Sequence, residues 1–445
     1  MDEHTQLLLD RATRLVEAAK TAGADAADAV TVRSRSRAVT VRNGAVEGTD
    51  ASESDDMSLR VFVGQRVASV SAAASADATA LAERAVAMAR VSPVDPYAGL
   101  ADPDRLARDW PDLDLYDATE VSAAQLTEDA LATEAAALGV EGVTKSSGGS
   151  ASAGLAGFVL VTSHGFSGAY QGTRFGRSVA VIAGEGTAME RDYEFSSRTH
   201  FADLEAPEAI GRKAGERTVR RLNPRRMPTG RVTAVLDPRV ARSMLGHLSG
   251  AINGAAVARK STFLHNAMGE AIANPAVTVI DDPKRPRGAG SRLFDGEGVA
   301  AEPLTMVEDG VLKQWFLSTA LGRELGLQTN GRGVRSGTQV NAGSTNLSLE
   351  PGPRTPRDLI GDVGTGFYVT EVFGQGVNLV TGEYSRGASG FWIEKGELTH
   401  PVSEVTIAGN LRDMFKAMIP ASDIDRNFAT AAPTLVIEAM TLAGT

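Results

Sequence analysis

The 445 residues include no cysteine. That absence excludes a disulfide framework, a nucleophilic thiol, an iron–sulfur cluster and every zinc site that relies on thiolate ligands. Basic charge is also in short supply. With 45 Lys+Arg against 55 Asp+Glu the net charge is −10 and the pI about 5.3, so a protein built to neutralise nucleic-acid phosphates is not expected. No apolar run approaches the roughly 20 residues that span a bilayer, and no membrane partner is expected. The acidic opening Met1-Asp2-Glu3-His4 has no basic stretch followed by an apolar segment, so no secretory leader is expected and the cytoplasm is the default location. GxSxG, GxxxxGK[ST] and complete GxGxxG patterns are all missing, which removes the usual serine-hydrolase, P-loop and dinucleotide signatures.

What is present reads as a globular chain with many turns: 42% hydrophobic residues and 47 Gly, with only 5% aromatics. Length alone suggests about two or three domains. Residues 5–22 carry Leu8, Leu9, Ala12, Leu15, Val16 and Ala19 at helical spacing, ending at Gly23. Strands follow at 29–33 and 38–41, with a hairpin signal at Asn43-Gly44 and another β pattern over Val61–Val70. Asp77–Arg90, with Asp77 as N-cap, and Ala123–Leu138 read as helices, separated by an exposed Pro- and Asp-rich loop. From Val143 to Ile182 the Gly/Ser content suggests turns between short strands. Glu205–Arg221 reads as a helix whose last turn holds Arg217, Arg220 and Arg221, expected to be a solvated end.

Asn223-Pro224, Pro228 and Gly230 break the chain, which places a domain boundary near 222–230 and two domains at 1–225 and 226–445. The second half starts with a strand at 231–236 and a helix expected to run unbroken over 238–257. Strands at 277–280 and 366–373 follow, with hairpins through Asp309-Gly310 and Lys395-Gly396. The expected fold class is α+β: an N-terminal layer of helices on a sheet, then a mostly antiparallel β half with one long helix.

Candidate metal ligands are sparse. The six His (4, 164, 200, 247, 265 and 400) are never closer than 18 residues apart, so no local HExxH-like pair exists. Asp281-Asp282-Pro283 and Asp295-Gly296-Glu297-Gly298 are carboxylate clusters. Both stand in turn-forming contexts where Asp accepts backbone hydrogen bonds, so a cation is not the expected use of Asp281, Asp282, Asp295 or Glu297.

The second half nevertheless has a distinctive order of segments: Gly269-Glu270, Asp281-Asp282-Pro283, Phe294-Asp295-Gly296-Glu297-Gly298, Asp309-Gly310-Val311-Leu312-Lys313, the long string from Thr381 to Glu394, and Thr406-Ile407-Ala408-Gly409-Asn410-Leu411. This resembles the TldD/PmbA family of modulator-of-gyrase peptidases over roughly residues 230–445, and the N-terminal half is similar to that family's first domain. The resemblance implies two branches that pair as a heterodimer. In the TldD branch an HExxxH helix and a later Cys hold a catalytic zinc, with the Glu as general base; in the PmbA branch, also called TldE, the motif is degenerate. Here Arg242 stands at the first ligand position and Ser243 at the Glu position, while His247 keeps the second ligand position. Catalytic zinc generally needs three protein ligands, and a carboxylate to take the proton from the attacking water. A guanidinium stays charged and repels a cation. By this resemblance the chain is a TldE-like subunit with no catalytic residue and no metal of its own, zinc residing in an HExxxH-containing partner. Its expected role is to shape a channel for extended or unfolded peptides and to stabilise that partner.

A different class of reading is a homodimeric peptide-binding module that works by strand addition to an exposed sheet edge. Tyr384, Arg386, Phe391 and Trp392 carry two readings as well: a channel wall or subunit interface, or a turn with an aromatic anchor in the core. Alternation alone puts one of Phe391 and Trp392 inside.

Overall fold

The structure is a computed structural model that describes residues 3–336 and 339–444. Its first half opens with helix α1 (Glu3–Thr21), whose stripe of Leu8, Ala12, Leu15, Val16 and Ala19 is buried. Strands β1 (Ala26–Arg42), β2 (Ala45–Val63) and β3 (Arg66–Ala73) follow as two hairpins. The β1–β2 turn uses Asn43 and Gly44, both at positive φ, the conformation that Asn-Gly accepts in tight hairpins. Then come α2 (Ala78–Val91), capped by Asp77, and α3 (Ala123–Leu138), capped by Ser122. The half is completed by β4 (Val143–Thr162), β5 (Ser167–Ala183), β6 (Glu190–Arg198) and α4 (Pro207–Arg220). The six strands form one antiparallel sheet in the order β3-β2-β1-β4-β5-β6.

The short strands expected over 143–182 are two long ones, of 20 and 17 residues. Their glycines do not end them because β4 is bonded on both sides, to β1 and to β5, and ladder bonds on two edges offset the weak strand preference of Gly. Small residues there also let α3 approach: a Cβ on Gly149 would stand 3.2 Å from the Ala130 carbonyl oxygen.

The second half contains β7 (Gly230–Leu236), α5 (Pro238–Ala251), α6 (Gly254–Ala258), β8 (Val279–Asp281), β9 (Leu304–Glu308), β10 (Val311–Leu312), α7 (Thr319–Glu324), β11 (Gly333–Ser336), β12 (Gln339–Ala342) and β13 (Leu347–Leu349). It ends with α8 (Pro356–Val363), β14 (Thr365–Phe373), β15 (Glu383–Glu394), β16 (Glu397–Asn410), α9 (Leu411–Ala417), β17 (Met418–Pro420), β18 (Thr430–Ala431) and β19 (Leu435–Ala443). Strands β16-β15-β14-β7-β19 run side by side, and a further β16–β19 pairing closes them into a ring. A smaller sheet, β10-β9-β8-β13-β18, shares a core with one face of the ring and with α5. The mixed α+β class is the expected one.

The helix expected over 238–257 is broken. Ile252 and Asn253 leave the helical path because Phe316 pairs with them from outside: its N–H donates to the Ile252 carbonyl at 3.1 Å and its carbonyl accepts from Gly254 at 2.9 Å. Asn253 then caps α6 through its side chain. The two halves meet around Phe294, which is buried against Trp110, Phe158, Phe166 and Tyr170 with ring centroids 5.0–6.1 Å away. Among the described residues no helix is long and apolar enough to cross a membrane.

Candidate functional site

Helix α5 presents the three positions singled out in the sequence. Asp237 caps it, accepting from Arg239 N–H, and Pro238 occupies the first turn, where its missing N–H costs nothing. Val240, Ala241, Met244, Leu245 and Leu248 face the core. Arg242, Ser243 and His247 therefore lie on the remaining surface, and each is used differently. The Arg242 guanidinium stacks over the Phe428 ring, 3.8 Å from its centroid; burial pulls its pKa below the ordinary value, yet the group stays cationic. The Ser243 hydroxyl donates to the Val240 carbonyl in its own helix, at 2.6 Å. His247 meets Tyr384 edge to face, with ring centroids 6.0 Å apart. Burial first, then the Arg386 charge, hold this imidazole below its ordinary pKa.

Residues five apart on an ordinary helix point about 140° away from each other. The structure expresses this directly: Arg242 turns toward Phe428, and His247 turns toward β15. These residues do not fit a catalytic zinc. One imidazole is present, the hydroxyl is engaged by its own helix, and Arg242 is a cation. Among the described residues no group of three or more His, Asp or Glu is arranged to hold a metal ion.

On β15, Tyr384 is buried and its phenol is pushed up to about 12 by burial. Arg386 follows on the same strand, with Nε donating to the Phe373 carbonyl at 3.1 Å. Phe391 is buried beneath the Arg220 guanidinium, 4.9 Å from the ring centroid, and Trp392 packs half-buried against the main core. So His247, Tyr384 and Arg386 come together, whereas Arg242, Ser243, Phe391 and Trp392 lie elsewhere.

The basic end of α4 is only in part the solvated cluster the sequence suggested: Arg220 is exposed, but Arg217 and Arg221 are committed to carboxylates. Arg221 bonds Glu371 at 2.7 Å and Ser389 at 3.0 Å in the second half, and pairs with Glu190 and Asp192 on β6. Arg217 holds Glu194 at 2.5 Å. From the opposite side Arg239 reaches Asp192 at 2.9 Å and lies over the Tyr193 ring. The carboxylates that hold these arginines come from β6 and β14, so a tertiary seam consumes a charge pattern that a helix alone would leave in water.

The two carboxylate clusters are likewise committed. Asp281 pairs with Arg332 at 2.5 Å, both fully buried, and accepts from Thr345 N–H and Oγ1 at 2.7 and 2.8 Å. Asp282 accepts from Lys284 N–H, closing a turn. Asp295 accepts three backbone N–H groups, from Glu297, Val299 and Gly333. Burial and the neighbouring Glu297 charge push its pKa up to about 6. Glu297 accepts from Thr319 N–H and faces Arg60 at 3.6 Å. Arg60 in turn holds Asp28, which also pairs with Arg335 at 2.6 Å. This buried Asp28–Arg60–Glu297–Arg335 network across the halves escaped the sequence reading. Its signal was there, as single charges inside the apolar strand runs around Asp28 and Arg60.

Comparison with known proteins agrees with this architecture. Residues 229–444 match the PmbA/TldA metallopeptidase C-terminal domain, 116–222 its central domain and 27–89 its domain 1. The chain is similar to the metalloprotease PmbA of Escherichia coli O157:H7, with 36% identity over 94% of this chain and 92% of that one. It is also similar to a metalloprotease PmbA homolog of Haemophilus influenzae, with 35% identity over 96% and 94%. Among solved structures, a candidate modulator of DNA gyrase from Bacteroides thetaiotaomicron superposes with a TM-score of 0.91 at 29% identity, covering 98% of both chains. TldE from Thermococcus kodakarensis shares the fold, with a TM-score of 0.86 at 20% identity over 98% of this chain and 100% of that one. The chain belongs to the PmbA/TldD metallopeptidase family.

Proposed function

We propose that this chain is the TldE-like, zinc-free subunit of a cytosolic TldD/TldE-type peptidase, and that it shapes a channel for extended peptides while stabilising an HExxxH-bearing partner that holds the metal. One observation carries the reading. At the positions of the family's metal-binding helix, the side chains are already engaged in ways that oppose a cation: Arg242 on Phe428 and Ser243 on Val240. The names of the relatives connect the family with proteolysis, and the proposal assigns the chemistry of that proteolysis to the partner. Of the four β15 residues considered for the channel or interface, Arg386 has its guanidinium near the surface and no acidic partner among the described residues, whereas Phe391 is covered by Arg220.

The alternative is a homodimeric strand-addition module. Closure of β16 onto β19 takes the larger sheet of the second half out of that reading and leaves it the edge strands β10 and β18 of the smaller sheet. A pull-down from the native host separates the two: an HExxxH-bearing family member recovered one-to-one is the expected result. Recovery of the chain only with copies of itself contradicts the proposal.

A further inference from the structure

The corner between α5 and β15 contains polar groups with nothing to bond. Tyr384 is only 2% exposed, and its hydroxyl has no hydrogen-bond partner among the described residues. The same holds for Nε2 of His247, which is also closed to solvent. Buried groups of this kind are ordinarily satisfied, and each exception asks for a reason. Arg386 completes the corner. It lies two residues beyond Tyr384 on the same face of β15, by strand alternation, and influences both rings electrostatically. Its own hydrogen bonds go to the Val372 and Phe373 carbonyls. Among the described residues no carboxylate comes within ion-pair distance of its guanidinium. The phenol O–H, the imidazole, which donates when its proton is on Nε2, and the guanidinium thus stand in one corner with no carboxylate among the described residues to accept from them. Beside them Phe373 is 51% exposed, a large apolar ring at the rim.

An acceptor with two oxygens next to an apolar group complements this arrangement, because guanidinium favours planar two-oxygen partners and charged acceptors make the stronger hydrogen bonds. We infer that His247, Tyr384 and Arg386 bind a carboxylate, that of the C-terminal residue of a peptide, with the terminal side chain against Phe373. The ligand approaches from the Arg386 and Phe373 side, and Arg386 leaves the Phe373 carbonyl to let the oxygens reach the two buried groups. The identification of the ligand as a peptide rests on the function proposed above; the carboxylate chemistry rests on the corner alone.

Calorimetric titration of the isolated full chain tests this. The probes are N-acetyl-Ala-Ala-Phe with a free carboxylate, the same peptide as its amide, and an amide-capped peptide ending in Glu. The free acid is expected to bind, with the amide weaker by about tenfold or more. Tyr384→Phe and Arg386→Gln are each expected to weaken the acid by a similar factor. Tyr384→Phe should unfold at the parent temperature or above, since it deletes an unpaired hydroxyl, and so reports on binding in a folded chain. Equal binding of acid and amide, no binding of either, or unchanged affinity in both variants overturns the inference. The Glu-containing amide binding as well as the free acid overturns the assignment to a chain end. Because no partner is added, failure here leaves the subunit proposal standing, whereas hydrolysis of these peptides by the isolated chain would overturn that proposal alone.

Discussion

Arg332 and Asp281 show how much a single residue's meaning depends on a neighbour far away in sequence. Asp281 stands in an Asp-Asp-Pro turn, and that turn was legible, since Asp282 accepts from Lys284 N–H as turn aspartates do. Its ion pair with Arg332, 51 residues away, was not. Both partners are fully shielded, so removing one leaves a buried charge without compensation. Asp281→Asn or Arg332→Met is expected to cost about 3–5 kcal/mol in denaturant unfolding, and the double variant less than the sum. Asp295 supplies a second test. Its folded pKa near 6 lies above the ordinary carboxylate value, so between about pH 4 and 6 the folded state binds more protons than the unfolded one. By linkage this group's contribution favours folding at low pH and is lost as the pH rises through that window. A site-specific carboxyl NMR titration should find its midpoint near 6, moving down in Glu297→Gln as the like charge is removed. A midpoint near 4 in the parent would contradict the burial described.

At the scale of elements, caps and tight turns were the most legible features. Asp77, Asn43-Gly44 and Lys395-Gly396 act through local geometry that the sequence alone specifies. Failures came where tertiary contacts override local pattern. The apolar spacing of α5 continues past Ala251, but pairing with Phe316 breaks the helix at Ile252–Asn253. The glycines of β4 look like turn formers until two neighbouring strands bond it on both sides. Gly211 and Gly215 in α4 belong to the same class. They read as weak helix residues, yet they let α4 pack against α3: a Cβ on Gly211 would lie 2.3 Å from the Thr133 carbonyl oxygen, and one on Gly215 would lie 2.6 Å from Val140. Gly211→Ala is therefore expected to destabilise the chain by about 1–3 kcal/mol despite the better helix propensity of Ala. Thermal unfolding checks this, and a rise in midpoint would show that α3 and α4 do not approach so closely.

For the whole molecule, the seam between the sheet of β1–β6 and the closed ring is made of charge as much as of apolar surface. Phe294 sits in an aromatic cage, the Asp28–Arg60–Glu297–Arg335 network spans the two halves, and Arg221 gathers carboxylates from both of them. Sequence reading recovered the α+β class and the family. The seam stayed hidden because its charges are contributed from positions far apart in the chain, such as Asp28 and Arg335. The candidate site rests on three helix positions at which residue type alone argues against a cation at Arg242 and against a general base at Ser243. What each side chain does instead depends on Phe428, Tyr384 and Arg386, which no helix pattern reveals.

The central claim is that this chain contributes structure and peptide contacts while its partner contributes the metal. Its most direct test is hydrolysis of an unfolded peptide by the purified chain alone, by an HExxxH-bearing family member alone, and by the two mixed, with zinc measured on each. No stoichiometric zinc and no hydrolysis are expected from this chain alone, and hydrolysis by the mixture is expected to exceed that of the partner. Zinc-dependent hydrolysis by this chain alone that disappears in His247→Ala would contradict it.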